Sequence, residues 1–226
     1  MTEDVLKEYL RHRAESSSKY HETKDGVYHA SETSQCLRKL YYKRKAPEDK
    51  IPKDESSYPH FRLGHLIERI YFNALKHKHS YMHVRNSVPI RHEFDDFELV
   101  GQTDPVILGE NLKPKRIYEV KSTSNIKYSK NEPSKHHVFQ VHPYIAALQC
   151  PCSIVYIQKT NLSTATHEVN FDPSIFKASV DRLRELHKYL NDNKLPPSEP
   201  FSPKFECKFC SFSKHCNKDI DPRDID

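Results

Sequence analysis

The sequence predicts an α/β protein, and three features carry that expectation. Two short runs, Val106–Leu108 and Lys115–Lys121, are separated by Gly109-Glu110-Asn111 and Lys113-Pro114, the pattern of two antiparallel strands joined by an irregular turn. On either side, Phe61–Leu75 and Val138–Gln149 repeat apolar residues at helical spacing. A length of 226 residues, with 13 Tyr and 11 Phe but no Trp, suffices for one good-sized core or one domain with an appendage.

Taken in order, Val5–His12 is expected to form a short helix and Glu15–Asp25 a polar connection. Ser31–Tyr42 reads as a capped helix with Leu37, Leu40 and Tyr41 facing inward. Cys36 lies on its first turn, and taken alone it is a small buried hydrophobe. The charged stretch Lys43–Ser57, which contains Pro47 and Pro52, reads as an exposed loop. In the helix over 61–75, Leu63, Ile67, Ile70, Tyr71 and Ala74 would face inward; Gly64, His65 and Glu68 occupy the first turns, with His65 and Glu68 on one face. Strands are expected over His79–Ile90 and Phe94–Val100, and a loop over Ser122–Lys135. In the helix that follows, Gln140 and Tyr144 are one turn apart, while Pro143 stands where a proline clashes with the preceding turn. Ser153–Lys159 and Thr164–Phe171 read as a hairpin, with Cys150 and Cys152 as packing residues before it. Asp172-Pro173 announces a last helix, Asp as N-cap and Pro at the first position. Phe176, Val180, Leu183, Leu186 and Leu190 supply its inward side, Arg182, Arg184 and Lys188 its basic exterior, and Pro196-Pro197 closes it.

The chemistry is concentrated in the central strand pair. Side chains alternate along a strand, so Glu119 and Lys121 share one face and Tyr118 and Val120 the other. If the hairpin brings Asp104 opposite them, two carboxylates and a lysine converge. Hard divalent cations such as Mg2+ and Mn2+ prefer oxygen ligands and keep waters that can be activated or displaced by phosphate. A lysine there can orient the attacking water or stabilise charge developing on phosphoryl oxygens. The competing interpretation is a salt-bridged, solvated sheet face.

Net charge is +5, from 36 Lys and Arg against 31 Asp and Glu, which permits a polyanionic partner without requiring one. No run of 18 apolar residues exists, so no membrane span or membrane partner is expected. The polar start, Thr2–Asp4, lacks a secretory apolar region, and a cytoplasmic location is the expectation. In a reducing compartment six cysteines suggest metal or cluster ligation more readily than disulfides. Cys207, Cys210 and Cys216 are close enough in sequence to form a clamp, for which His215 could supply the fourth ligand of a zinc site.

Gly101-Gln102-Thr103-Asp104 followed by Glu119-Val120-Lys121 resembles the core of the PD-(D/E)xK nuclease superfamily, in its RecB-like branch. The Gly64 helix, and the Gln140/Tyr144 spacing of a Q-x-x-x-Y helix, are similar to that branch as well. The terminal cysteine triplet with an upstream cysteine resembles the Cas4-like members, with the resemblance running from Ser31 to Cys216. It implies a restriction-endonuclease-like α/β fold, a central mixed sheet flanked by helices, across a single nuclease domain over 1–226. The catalytic core would be 58–195, with 31–42 and 200–217 joined as an iron–sulfur appendage. It further implies that Asp104, Glu119 and the Val120 carbonyl bind Mg2+ or Mn2+ with Glu68, or alternatively His65. Lys121 would assist water attack, Gln140 and Tyr144 would contact substrate, and Cys36, Cys207, Cys210 and Cys216 would ligate a [4Fe-4S] cluster. The implied activity is exonuclease action on single-stranded DNA ends, in the 5′ to 3′ direction. The implied setting is CRISPR spacer acquisition and antiviral defence, with CRISPR integration proteins as partners. A viral or chromosomal recombination or repair nuclease would retain the same residues. A non-catalytic DNA-binding accessory protein with a structural metal site is the alternative from another class.

Overall fold

The turn between Val106 and Lys121 closes as its residues require. Leu112 takes the left-handed conformation (φ 59°), and Asn111 accepts the Lys113 amide, so the chain reverses within five residues of Leu108. The computed structural model describes residues 24–51, 57–199 and 203–216, together with Val5, Glu8, Tyr9 and His12. Those last four residues are helical; the rest of the expected Val5–His12 helix, and most of the 15–25 connection, lie outside the described residues.

The elements are β1 (Val27–His29), α1 (Leu37–Lys45), α2 (Tyr58–Lys78), β2 (His83–Arg85), β3 (Pro89–Glu93), β4 (Glu98–Gln102), β5 (Val106–Leu108) and β6 (Pro114–Thr123). They continue with α3 (Lys135–Leu148), β7 (Cys152–Gln158), β8 (Thr164–Val169), α4 (Pro173–Asn191), α5 (Pro203–Lys208) and α6 (Ser213–Cys216). A five-stranded mixed sheet has the order β2-β5-β6-β7-β8, in which only β6 and β7 run parallel. A three-stranded sheet has the order β1-β4-β3, with β1 parallel to β4.

Helices cover both faces of the larger sheet. On one face Ile67 and Tyr71 of α2 pack against Tyr118, Val120, Val155 and Ile157. On the other, Val141, Tyr144 and Ile145 of α3 close over Ile117, Ile154 and Tyr156, and α4 packs on α3 and α1, its Val180, Leu183 and Leu186 joining the same core. α4 starts where its sequence dictates: the Asp172 carboxylate accepts from the amides of Ser174 and Ile175.

Several expectations need correction. The single strand expected over 79–90 is two strands in different sheets, β2 beside β5 and β3 beside β4, so the chain must bend between Arg85 and Pro89. β4 begins at Glu98, because Phe94 and Phe97 close a tight turn through a 2.9 Å backbone bond. β1 was not anticipated. α1 starts at Leu37 with Cys36 as its N-cap; Tyr41 packs against the main core as expected, and Tyr42 is buried as well, against Phe212. The helix also runs on to Lys45 through the stretch expected to be loop. Leu63, Ile70 and Ala74 of α2 are exposed; the inward stripe is Gly64, Ile67, Tyr71 and Leu75, since only a narrow face meets the sheet. α3 begins at Lys135 and accommodates Pro143, whose carbonyl accepts from His92 Nε2 at 2.9 Å.

The iron–sulfur appendage is also overturned. Among the described residues no group of three or more His, Cys, Asp or Glu is placed to hold a metal ion. The C-terminal segment folds onto α1 by other means. Phe212 is buried against Tyr42, the Tyr42 ring meets His215, and Ile51 donates its amide to the Ser211 carbonyl at 2.8 Å.

Candidate active site

β6 is the scaffold of the site. Its pairing with β5 sets Val106 opposite Ile117, so the next amide, Tyr118, donates to the Pro105 carbonyl. One repeat further along, the chain of β5 has no carbonyl to offer; the Asp104 side chain takes its place, Oδ2 accepting from Val120 N at 2.9 Å. Thr103, whose amide and hydroxyl both engage Val88, fixes the backbone that presents Asp104.

The alternation of β6 then decides what Asp104 meets. Tyr118 and Val120 face α2, while Glu119 and Lys121 face α3. Glu119 is only 2% exposed and is held from two sides: Lys121 Nζ lies 2.5 Å from its Oε1, and Gln140 Nε2 donates to the same oxygen at 2.8 Å. Tyr144 lies one helical turn beyond Gln140 on the same side of α3 and is buried. Its ring rests on Gly101, where a Cβ would be 2.8 Å from Cε1. The glycine of Gly101-Gln102-Thr103-Asp104 is thus a packing requirement of the helix across the cleft.

Electrostatics follow from this crowding. Burial first, and then the Glu119 charge, push the Asp104 pKa from 3.8 to about 7, with Glu68 adding to the rise. Burial opposes the Lys121 charge, but Glu119, Asp104 and Glu68 outweigh it and hold that pKa above the ordinary lysine value. Glu68 is therefore within electrostatic reach of both Asp104 and Lys121. It is brought there by Gly64, one turn earlier in α2, whose missing side chain lets the helix approach Ser122 Oγ; a Cβ there would stand at 3.2 Å. His65 Nδ1 is 3.2 Å from Glu68 Oε2, but its side chain is 70% exposed.

The donors present fit a divalent cation. Two carboxylates so crowded that one is driven toward neutrality are an arrangement that a dication relieves. A pair of carboxylates also matches Mg2+, which binds through one or two carboxylates and completes its shell with waters and substrate phosphates. The four cysteines offer no comparable site. Cys36, Cys207, Cys210 and Cys216 border one cavity of about 40 Å3. Burial, with contributions from neighbouring thiols, raises the pKa of Cys207 and Cys210, which works against the thiolate that ligation needs. Together with the absence, among the described residues, of any group of three or more His, Cys, Asp or Glu placed to hold a metal ion, this removes the [4Fe-4S] cluster.

Sequence reasoning missed His136, His137 and Tyr156. The β6–β7 register sets Tyr156 opposite Lys121, and the Tyr156 hydroxyl meets His137 Nδ1 at 2.8 Å. Adjacent histidines, which fall in the first turn of α3, were the available signal.

Residues 4–217 match the sequence model of a family described as the PD-(D/E)XK nuclease superfamily. Among solved structures, the chain is similar to the crystal structure of SSO0001, with 19% identity, 96% of this chain and 98% of that one covered, and a TM-score of 0.70. It is also similar to an alkaline exonuclease, LHK-Exo, from Laribacter hongkongensis (13% identity, 75% and 93% covered, TM-score 0.45). A phage related exonuclease from Haemophilus somnus 129PT is a further match (13% identity, 84% and 83% covered, TM-score 0.39). The first likeness shows a shared fold, and the other two carry no argument. No curated protein matches the chain. The family match reaches the superfamily and stops there. The Cas4-like subtype rested on the cysteine cluster, so it falls with that cluster, and the CRISPR setting and CRISPR partners fall with the subtype. Among the described residues no helix is long and apolar enough to cross a membrane.

Proposed function

The chain belongs to the PD-(D/E)XK nuclease superfamily, and on that premise we propose that it is a metal-dependent DNA exonuclease of recombination or repair, acting on single-stranded ends. The observation that carries the hydrolytic reading is the convergence of Asp104, Glu119 and Lys121 on one side of β6. End-directed action rests on the RecB-like order of Glu68, Asp104, Glu119-Val120-Lys121 and Gln140/Tyr144.

Asp104, Glu119 and the Val120 carbonyl would hold Mg2+ or Mn2+, with Glu68 as the auxiliary and His65 as the alternative. When bound, the metal supplies Lewis-acid polarisation of the phosphate and a water of lowered pKa. The chain's own residues do the rest. Lys121, kept protonated by Glu119 and Asp104, orients the attacking water and stabilises charge on the phosphoryl oxygens. Gln140 fixes the Glu119 carboxylate, so the anionic pair keeps its geometry as substrate enters.

End-labelled oligonucleotides test this reading. Chelation should stop cleavage, and Asp104→Ala, Glu119→Ala and Lys121→Ala should each remove most activity in folded protein. Closed circular single strands should resist, and the label retained should report a 5′ to 3′ direction. Near-wild-type rates in all three variants would reject the site assignment; efficient cutting of circles would reject end dependence.

A further inference from the structure

A polar cluster outside these motifs shares the face of β6 that carries Glu119 and Lys121. In the parallel ladder Tyr156 lies opposite Lys121, and paired residues project to the same side. Tyr156 is buried, and its hydroxyl oxygen accepts the Ser134 amide at 2.9 Å. The same hydroxyl lies 2.8 Å from His137 Nδ1. With the hydroxyl hydrogen directed to Nδ1, the imidazole carries its own hydrogen on Nε2.

Three observations show what that ring can do. Burial first, then Lys121 and His136, hold the His137 pKa well below the usual imidazole range, so the ring is neutral. His137 is half-buried, so its ring is not sealed away from an incoming strand. The His136 ring packs against it at 3.9 Å between centroids, and is itself held by Ser134 Oγ at 2.8 Å from Nδ1, which limits how far His137 can turn.

We propose that His137 contacts the substrate: its Nε2–H donates to a phosphate oxygen of the DNA strand beside Lys121, with Tyr156 as the positioning residue that fixes the donor. The inference rests on the nuclease reading above. Its physical logic is charge. A second cation next to Lys121 would be repelled by it and by any bound metal, whereas a neutral donor adds a directed hydrogen bond without that cost. Hydrogen bonds to charged groups are among the stronger ones, so truncation should cost about ten- to a hundredfold in kcat/KM.

Four variants decide the matter: His137→Ala, His137→Gln, Tyr156→Phe, and His137→Met in case the alanine variant does not fold. Cleavage of a single-stranded oligonucleotide is followed with Mg2+ at several salt concentrations, beside thermal unfolding. His137→Ala or His137→Met should lose about tenfold or more, while His137→Gln, whose amide can donate, should retain most activity. Tyr156→Phe should fall between them. The slope of log kcat/KM against log salt should not change in any variant, because no phosphate charge is neutralised by a neutral ring. Wild-type kcat/KM in the donorless variants, equal losses in Ala and Gln, or a salt slope reduced by about one would overturn the proposal. A wild-type protein inert on DNA with every divalent metal would sink the nuclease reading itself, and an active wild type with an indifferent His137→Ala sinks this inference alone.

Discussion

Gly101→Ala should disable the site from a position with no chemistry of its own. The added methyl would stand 2.8 Å from Tyr144 Cε1, 3.1 Å from Ala30 Cβ and 3.5 Å from Ile90 Cγ1. Ordinary carbon contacts are ~3.5–4.0 Å, so the ring or the strand must retreat by about 0.7 Å. Neither has an easy escape, because Tyr144 is 4% exposed and Ala30 1%. Overpacking of this kind costs ~1–3 kcal/mol, and a central loss of ~2 kcal/mol lowers Tm by about 4–8 °C in a protein this size. If α3 retreats with the ring, it carries Gln140, one turn earlier, which holds Glu119 at 2.8 Å. Misplacement of order 1 Å near the reacting groups costs as much as ~100-fold, so kcat should fall by about 10- to 100-fold while KM changes little. Scanning calorimetry and steady-state cleavage read the two effects. Adding Tyr144→Leu should recover part of the lost Tm, a non-additive response expected only of residues in contact. An unchanged Tm and kcat in Gly101→Ala, or strict additivity in the double variant, would refute the packing argument.

Other perturbations separate neighbouring roles. Glu68→Ala should reduce cleavage by about tenfold or more while His65→Ala stays within about twofold, because only Glu68 is coupled to Asp104 and Lys121; a loss confined to His65→Ala would reverse the assignment. In metal-free protein, the native state keeps a proton on Asp104 between pH 3.8 and about 7 that the unfolded chain has released. Stability should therefore fall as pH rises through that window, and Asp104→Asn should flatten the fall; urea midpoints that decline identically in both proteins would contradict it. Glu32 has the opposite sign. Burial raises its pKa, but Arg44 and Lys43, at 2.7 and 2.8 Å, outweigh that and hold it below 4.5. Its contribution is full above 4.5 and is lost as pH falls through the native value, and Glu32→Gln should cost ~3–5 kcal/mol at pH 7 by leaving Arg44 buried without its carboxylate. Equal urea midpoints at pH 7 would argue against that.

Local rules settled much of this protein in advance. The two-residue period of a strand required Glu119 and Lys121 to share a face, whatever surrounded them. Asp172 before Pro173 could only begin a helix well, and it does. The turn residues after Leu108 forced the hairpin that returns β6 to β5. Long-range choices were not legible, because they depend on which surfaces compete for burial. The inward stripe of α2 follows from a sheet that meets only Gly64, Ile67, Tyr71 and Leu75, and periodicity alone could not choose among its apolar faces. The cysteine spacing resembled a cluster, yet tertiary packing set Phe212 against Tyr42 there and raised the pKa of Cys207 and Cys210, first by burial. Tyr156 reaches Lys121 through a parallel register fixed by strands 30 or more residues apart in sequence, and His137 reaches Tyr156 only because α3 docks on that face. A strand's alternation is carried by its own backbone, whereas the partner it faces is selected by the burial of the whole chain.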